Sequence, residues 1–231
     1  MLTKRKKKVL KKVVEEYIKK ARPVSSGVLV RKDFPKLSSA TIRNEMMDLT
    51  NEGFLFQPHT SAGKIPTSRG FKFFLDNFLE EKKPSRLEKN IFLHIKERFI
   101  EKRKRIKELA KRLAEISEEA VVVAFSKDDF YYTGLSYLFR QPEFKNISLI
   151  HNISEVIDHL DETMKNIFDR IKEAKILIGD ESPFGNKSAV IFDRLKIDNQ
   201  KVVIGILGPI RMDYNRNLGL IKFIRRLYER R

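Results

Sequence analysis

The sequence predicts an α+β chain: a winged helix-turn-helix head, a linker helix and a mixed helix–sheet body. Three observations carry this. Residues 37–66 run from a capped amphipathic helix into a short hairpin. Residues 86–120 hold an apolar stripe at heptad spacing. Residues 121–231 alternate short strand-like runs with amphipathic helices, the mark of an α+β unit. The predicted divisions are a head over residues 1–80, a linker or dimerisation helix over 81–120 and a regulatory body over 121–231.

The head is read in order. Thr3 can cap a first helix, whose stripe is Val9, Leu10, Val13, Val14, Tyr17 and Ile18. Lys4 to Lys8 are consecutive cations at the start of that helix, where the helix dipole opposes them. They fit either DNA phosphate contact or a solvated terminus. Ser25 or Ser26 caps a short second helix, ended by Phe34 and Pro35. Ser38 then caps a third, because its hydroxyl can accept from the free N–H groups of the first turn. Ile42, Met46 and Leu49 form its inner face, and Thr41, Arg43, Asn44 and Asp48 its outer one. Gly53 suits the end of this helix. Residues 54–57 read as a strand, 58–63 as a turn, and Lys64 and Ile65 as a return strand ended by Pro66. The expected core is Val13, Tyr17, Ile18, Leu29, Ile42, Met46, Leu49 and Leu55. Thr67 or Ser68 begins a fourth helix with Phe71, Phe74, Leu75 and Phe78 on one side. Residues 80–85, with Pro84, read as a hinge.

Helix, short helix, turn, helix and hairpin form the order of a winged helix-turn-helix. Arg and Asn present paired donors and acceptors that match guanine and adenine edges in the major groove. A hairpin holding His59, Ser61 and Lys64 suits phosphate or minor-groove contact.

The 231 residues carry a formal charge of +17. The charge is skewed: residues 1–80 hold 17 Lys and Arg against 8 Asp and Glu, while residues 121–231 hold 18 against 15. Nucleic acid is the expected partner, since neutralising phosphates releases condensed counterions. The absence of cysteine excludes disulfides and Cys-ligated metal. No leader-like apolar segment follows Met1, and no run approaches the roughly 20 apolar residues of a membrane span. A cytoplasmic protein without a membrane partner is expected. Four histidines, His59, His94, His151 and His159, form no metal-binding pair, and no nucleophile–base–orienter set is readable. No catalytic residue, cofactor or metal is predicted, and the chain is not read as an enzyme.

Beyond the hinge, residues 86–120 are expected to form one long basic helix. Phe92, Ile95, Phe99, Ile106, Leu109, Leu113, Ile116 and Ala120 fit an a/d heptad, with Lys102 interrupting it. This stripe serves either a dimer mate or the chain's own body. Strands are expected at 121–125, 130–133, 175–178, 189–192 and 201–207. Short helical structure is expected at 135–140, mostly helical structure at 146–171, and a terminal amphipathic helix from Tyr214 on. The loop GDESPFG at 179–185 reads as a plain connection. Asp213 reads as the cap of the last helix.

The runs LSSATIRNEMMDL and QPHTSAGKIPT resemble the DNA-binding head of the HrcA family, the heat-inducible transcription repressors. GILGPIRMDYNR at 205–216 is similar to a second signature of that family, and YYTGLSYLFRQPEF at 131–144 to a third. The resemblance implies a GAF-like fold for the body. It implies binding to double-stranded DNA at an inverted-repeat operator upstream of chaperone operons, as a homodimer, with the GroEL chaperonin maintaining the active form. The candidate DNA-contacting residues are Ser39, Ala40, Thr41, Arg43 and Asn44 on the helix and His59, Thr60, Ser61 and Lys64 on the wing. Two departures stand out. Family members often have proline where this chain has Ser39. They also carry a dimerisation module inserted in the GAF-like domain, which is missing here between the first two strands of the body. A small-molecule sensor acting through the GAF-like domain is the alternative reading.

Overall fold

The computed structural model of the chain describes residues 2–145 and 160–229. It forms two compact units, Met1–Leu79 and Glu80–Arg231.

The first unit is a winged helix-turn-helix. Helices α1 (Lys4–Lys20), α2 (Ser26–Asp33) and α3 (Ser39–Asn51) precede β1 (Leu55–Phe56), β2 (Ile65–Pro66) and α4 (Ser68–Phe78). Each helix starts on a hydroxyl. Thr3, Ser25, Ser38 and Thr67 accept from the backbone N–H groups of Lys6, Val28, Thr41 and Gly70. A cap of this kind contributes about 1 kcal/mol. The core is Val13, Leu29, Ile42, Met46, Leu49 and Leu55, as the periodicity predicts, with Tyr17 and Ile18 half-buried at its edge. Phe71 and Phe74 of α4 are buried among them. Burying a side chain of this size stabilises by about 1.5–3 kcal/mol.

The second unit starts with α5 (Arg86–Arg98) and α6 (Lys102–Ser117). The single helix expected over 86–120 is therefore two. The chain leaves helical geometry at Phe99 (φ −103°, ψ 110°) and restarts at Glu101. The Arg105 side chain donates to the Phe99 carbonyl that the break exposes, at 3.3 Å. The heptad residues Phe92, Ile95, Ile106, Leu109 and Leu113 are buried within this unit, so that stripe serves the chain's own body. The segment expected as a hinge is tied to the same unit: the Lys82 N–H donates to the Asn215 carbonyl at 3.0 Å.

A five-stranded antiparallel sheet follows, in the order β4-β3-β7-β6-β5. Its strands are β3 (Ala120–Ala124), β4 (Phe130–Thr133), β5 (Lys175–Ile178), β6 (Ser188–Ile197) and β7 (Gln200–Pro209). β3 and β4 are joined by a tight turn closed by the Phe125 N–H on the Asp129 carbonyl at 2.8 Å. No module interrupts them. β6 and β7 are each longer than the sequence suggests. They form one hairpin across Asp198 and Asn199, both in the left-handed region (φ 49° and 61°), as a two-residue hairpin turn requires. Val122, Ala124, Val190, Phe192 and Val203 pack on Leu138, Met164, Ile167 and Phe184. On the other face Val121, Val123, Ile191, Ile204 and Ile206 are buried, with α6 against β3 and α9 (Tyr214–Glu229) against β6. α7 (Leu135–Arg140) and α8 (Leu160–Phe168) complete the helices among the described residues. The helical structure expected over 146–171 falls partly outside the described residues, as do His151 and His159. The class is α+β, with a GAF-like second unit.

Candidate nucleic-acid interface

α3 is presented by its inner face. With Ile42, Met46 and Leu49 fixed in the core, Ala40, Arg43, Asn44 and Met47 face solvent. Met47, which sequence reasoning passed over, is 50% exposed in this row. Ser39 and Thr41 are half-buried and engaged within the domain. The Ser39 hydroxyl bonds that of Ser26 at 2.9 Å, and the Thr41 hydroxyl bonds that of Ser38 at 2.9 Å. The Ser26–Ser39 hydroxyl pair ties α3 to α2.

The acids of α3 are neutralised from behind. Lys6 bonds Asp48 at 3.0 Å and Glu52 at 2.8 Å, and Arg5 pairs with Glu45 at 3.4 Å. Those pairs raise the pKa of Lys6, first through its bond to Glu52 and then through Asp48. Lys7 and Lys8 lie over the rings of Phe73 and Phe34. Much of the N-terminal basic run thus holds the domain together, a third use beside the two read from the sequence.

The wing is organised by Gln57, which the sequence did not single out. Its amide donates to the carbonyls of Thr60 at 2.8 Å and Ala62 at 3.0 Å, and its oxygen accepts from Lys64 at 2.9 Å. His59, Thr60 and Ser61 are exposed at the tip. Lys64 is placed differently from the expectation: it is only 9% exposed, and its ammonium supports Gln57. Its backbone bridges Val24 through two bonds of 2.8 Å. Gly63 makes this approach feasible, since a Cβ there would overlap the Val24 carbonyl. Arg43, Met47, Gln57, Thr60 and Ser61 line a groove of about 380 Å³ between α3 and the wing. It sets the Arg43 guanidinium and the polar groups of Gln57, Thr60 and Ser61 beside the Met47 side chain.

In the second unit the signature segments meet. Arg211 donates through Nη2 to Gln141 at 2.8 Å and to Glu143 at 3.0 Å, and its Nε also bonds Glu143. Asp213 caps α9 by accepting from the Arg216 N–H at 3.0 Å, as expected. Glu119 lies beside them, 5% exposed, against Gly208, where any side chain would strike its carboxyl group. Its Oε2 has no hydrogen-bond partner among the described residues. Burial pushes its pKa well above the ordinary carboxylate value. Arg211 opposes that shift, while Glu143 and Glu118 add to it, and the buried Tyr214 phenol lies near enough to be raised in turn. The folded chain therefore keeps a proton that the unfolded chain releases, so stability falls as pH rises past the ordinary carboxylate pKa. Glu119→Gln is expected to flatten that slope, measured as the difference in melting temperature between pH 5 and pH 8. An unchanged slope would place the proton elsewhere. Among the described residues no acid–histidine cluster could hold a metal, and no helix is long and apolar enough to cross a membrane. In the 179–185 loop, the Ser182 and Ser188 hydroxyls bond at 2.6 Å and Phe184 fills the core, as a connection does.

Residues 59–218 match the family model described as HrcA protein C terminal domain. The chain belongs to the HrcA family. A heat-inducible transcription repressor HrcA from Natranaerobius thermophilus is 56% identical over 75 residues, 32% of this chain and 22% of that protein. One from Thermodesulfovibrio yellowstonii is 26% identical over 332 residues, covering 96% of this chain and 95% of that protein. That alignment is longer than the 231-residue chain, so part of the longer HrcA protein stands opposite a gap. In three HrcA relatives the matched stretch spans 22% to 33% of the protein's length. A crystal structure of a hypothetical protein shares the fold, with a TM-score of 0.73 at 18% identity over 98% of this chain and 96% of that one.

Proposed function

We propose that this chain is a sequence-specific DNA-binding transcriptional repressor of heat-shock operons. α3 enters the major groove with Arg43 and Asn44 at base edges and Thr41 near the backbone. His59, Thr60 and Ser61 of the wing meet phosphate or the minor groove. Lys64 supports the wing from within. Two heads of a homodimer read an inverted repeat, and the site of action is the cytoplasm. The observation that carries this is the exposed Arg43–Asn44 pair on a helix whose acids are already paired at the rear. The naming of the HrcA relatives as heat-inducible repressors supports the regulatory class. Control by the GroEL chaperonin rests on the family resemblance.

Footprinting on chaperone-operon promoters with and without GroEL tests the reading. Protection of an inverted repeat, strengthened by GroEL, is expected. Arg43→Ala is expected to cost about 1–3 kcal/mol on the operator and less on random duplex. Equal losses on both would remove the base-reading role.

A further inference from the structure

The exposed row of α3 holds one side chain of unlike chemistry. Arg43 and Asn44 present polar groups, whereas Met47 is apolar and 50% exposed. The core of the head is closed by Met46, its buried neighbour, with Ile42 and Leu49, so Met47 is turned outward by the register of the helix. It lies one turn beyond Arg43, and both line the groove between α3 and the wing. The polar groups beside it are engaged. Gln57 spends its amide on the Thr60 and Ala62 carbonyls and takes the Lys64 ammonium on its oxygen. It has no donor left for a paired contact with adenine. No Asp or Glu lines the groove among the described residues, so the acidic contact that reads the cytosine amino group is missing there.

We infer that Met47 is a specificity-determining residue that packs on the methyl group of a thymine. That methyl is the apolar feature that base edges present in the major groove. An unbranched, polarisable thioether adapts its shape to such a partner. Side chains at i and i+4 of a helix stand about 5–6 Å apart, and bases of one strand follow each other at about 3.4 Å. The thymine therefore lies one or two base pairs from the base that Arg43 reads. The role of Met47 rests on the proposed entry of α3 into the major groove and adds a base class to it.

The test is selection of duplexes from a random pool by the full chain, by Met47→Ala and by Arg43→Ala. The wild type is expected to enrich a site with a fixed thymine. Met47→Ala is expected to relax that position, and Arg43→Ala a different one, one or two base pairs away. The selected site is then made with uracil at the thymine position, which keeps the pairing edge and removes only the methyl. The wild type is expected to bind it about fourfold more weakly, the factor for one buried methyl-sized group. Met47→Ala is expected to bind the two duplexes alike, and Met47→Leu to keep most of the preference. Circular dichroism melts of both Met47 variants are expected to match the wild type, since the residue is exposed. A wild type indifferent to the methyl, a uracil penalty that Met47→Ala shares, or a chain that enriches no sequence overturns the assignment. A Met47-dependent thymine preference within a site foreign to chaperone promoters would keep this role and discard the heat-shock repressor reading.

Discussion

Arg211→Ala is expected to destabilise the Glu80–Arg231 unit by about 1–3 kcal/mol, the cost of leaving a largely desolvated acid without its partner. The Arg211 side chain is 12% exposed and that of Glu143 18%. Arg211 holds Gln141 and Glu143 together, and its charge is the one that opposes the rise in Glu119's pKa. Without it, Glu143 is left partly desolvated with its charge unanswered, and the charge that opposes the rise in Glu119's pKa is gone. Urea unfolding followed by circular dichroism measures the loss. Arg211→Lys is expected to recover only part of it, since an ammonium lacks the planar fork that reaches both Gln141 and Glu143. A loss under 1 kcal/mol would mean that water compensates the acids as well as the guanidinium does.

Gly63→Val is expected to have the largest effect on the head. The new side chain would occupy the space of the Val24 carbonyl, so the Val24–Lys64 bridge must open. Forcing atoms into a filled site costs up to about 3 kcal/mol. The wing tip would also shift, because Gln57 organises it and is itself held by Lys64. Operator affinity is expected to fall further than for Arg43→Ala, since one change displaces His59, Thr60 and Ser61 together. Thermal melting and operator titration on the same variant check both parts. Unchanged affinity beside a lowered melting point would show that the wing takes no part in binding.

Much of the head was readable because its determinants are local. Ser38 lies three residues before the N–H it caps, and Ile42, Met46 and Leu49 repeat at helical spacing. The features that escaped depend on distant partners. Lys64 looks like a free cation until Gln57 and Val24 are brought against it. Arg211 and Glu143 are 68 positions apart, so their pairing follows from the sheet and not from spacing. The break at Phe99 left no proline or glycine as a signal. Apart from Lys102 the apolar spacing resumes beyond it at Ile106, and the two halves turn because both can bury a face in the same unit. The length of the β6–β7 hairpin was hidden for another reason: Arg194 and Lys196 interrupt the apolar run while the ladder continues through them.

The short turn between β3 and β4 has a consequence for how such chains can vary. Its two ends leave the sheet side by side, as antiparallel neighbours must. A guest segment whose own termini lie close together could be spliced in there without disturbing any strand pairing. Lineages could therefore gain or shed a whole appendage at this seam while the rest of the architecture stayed in register.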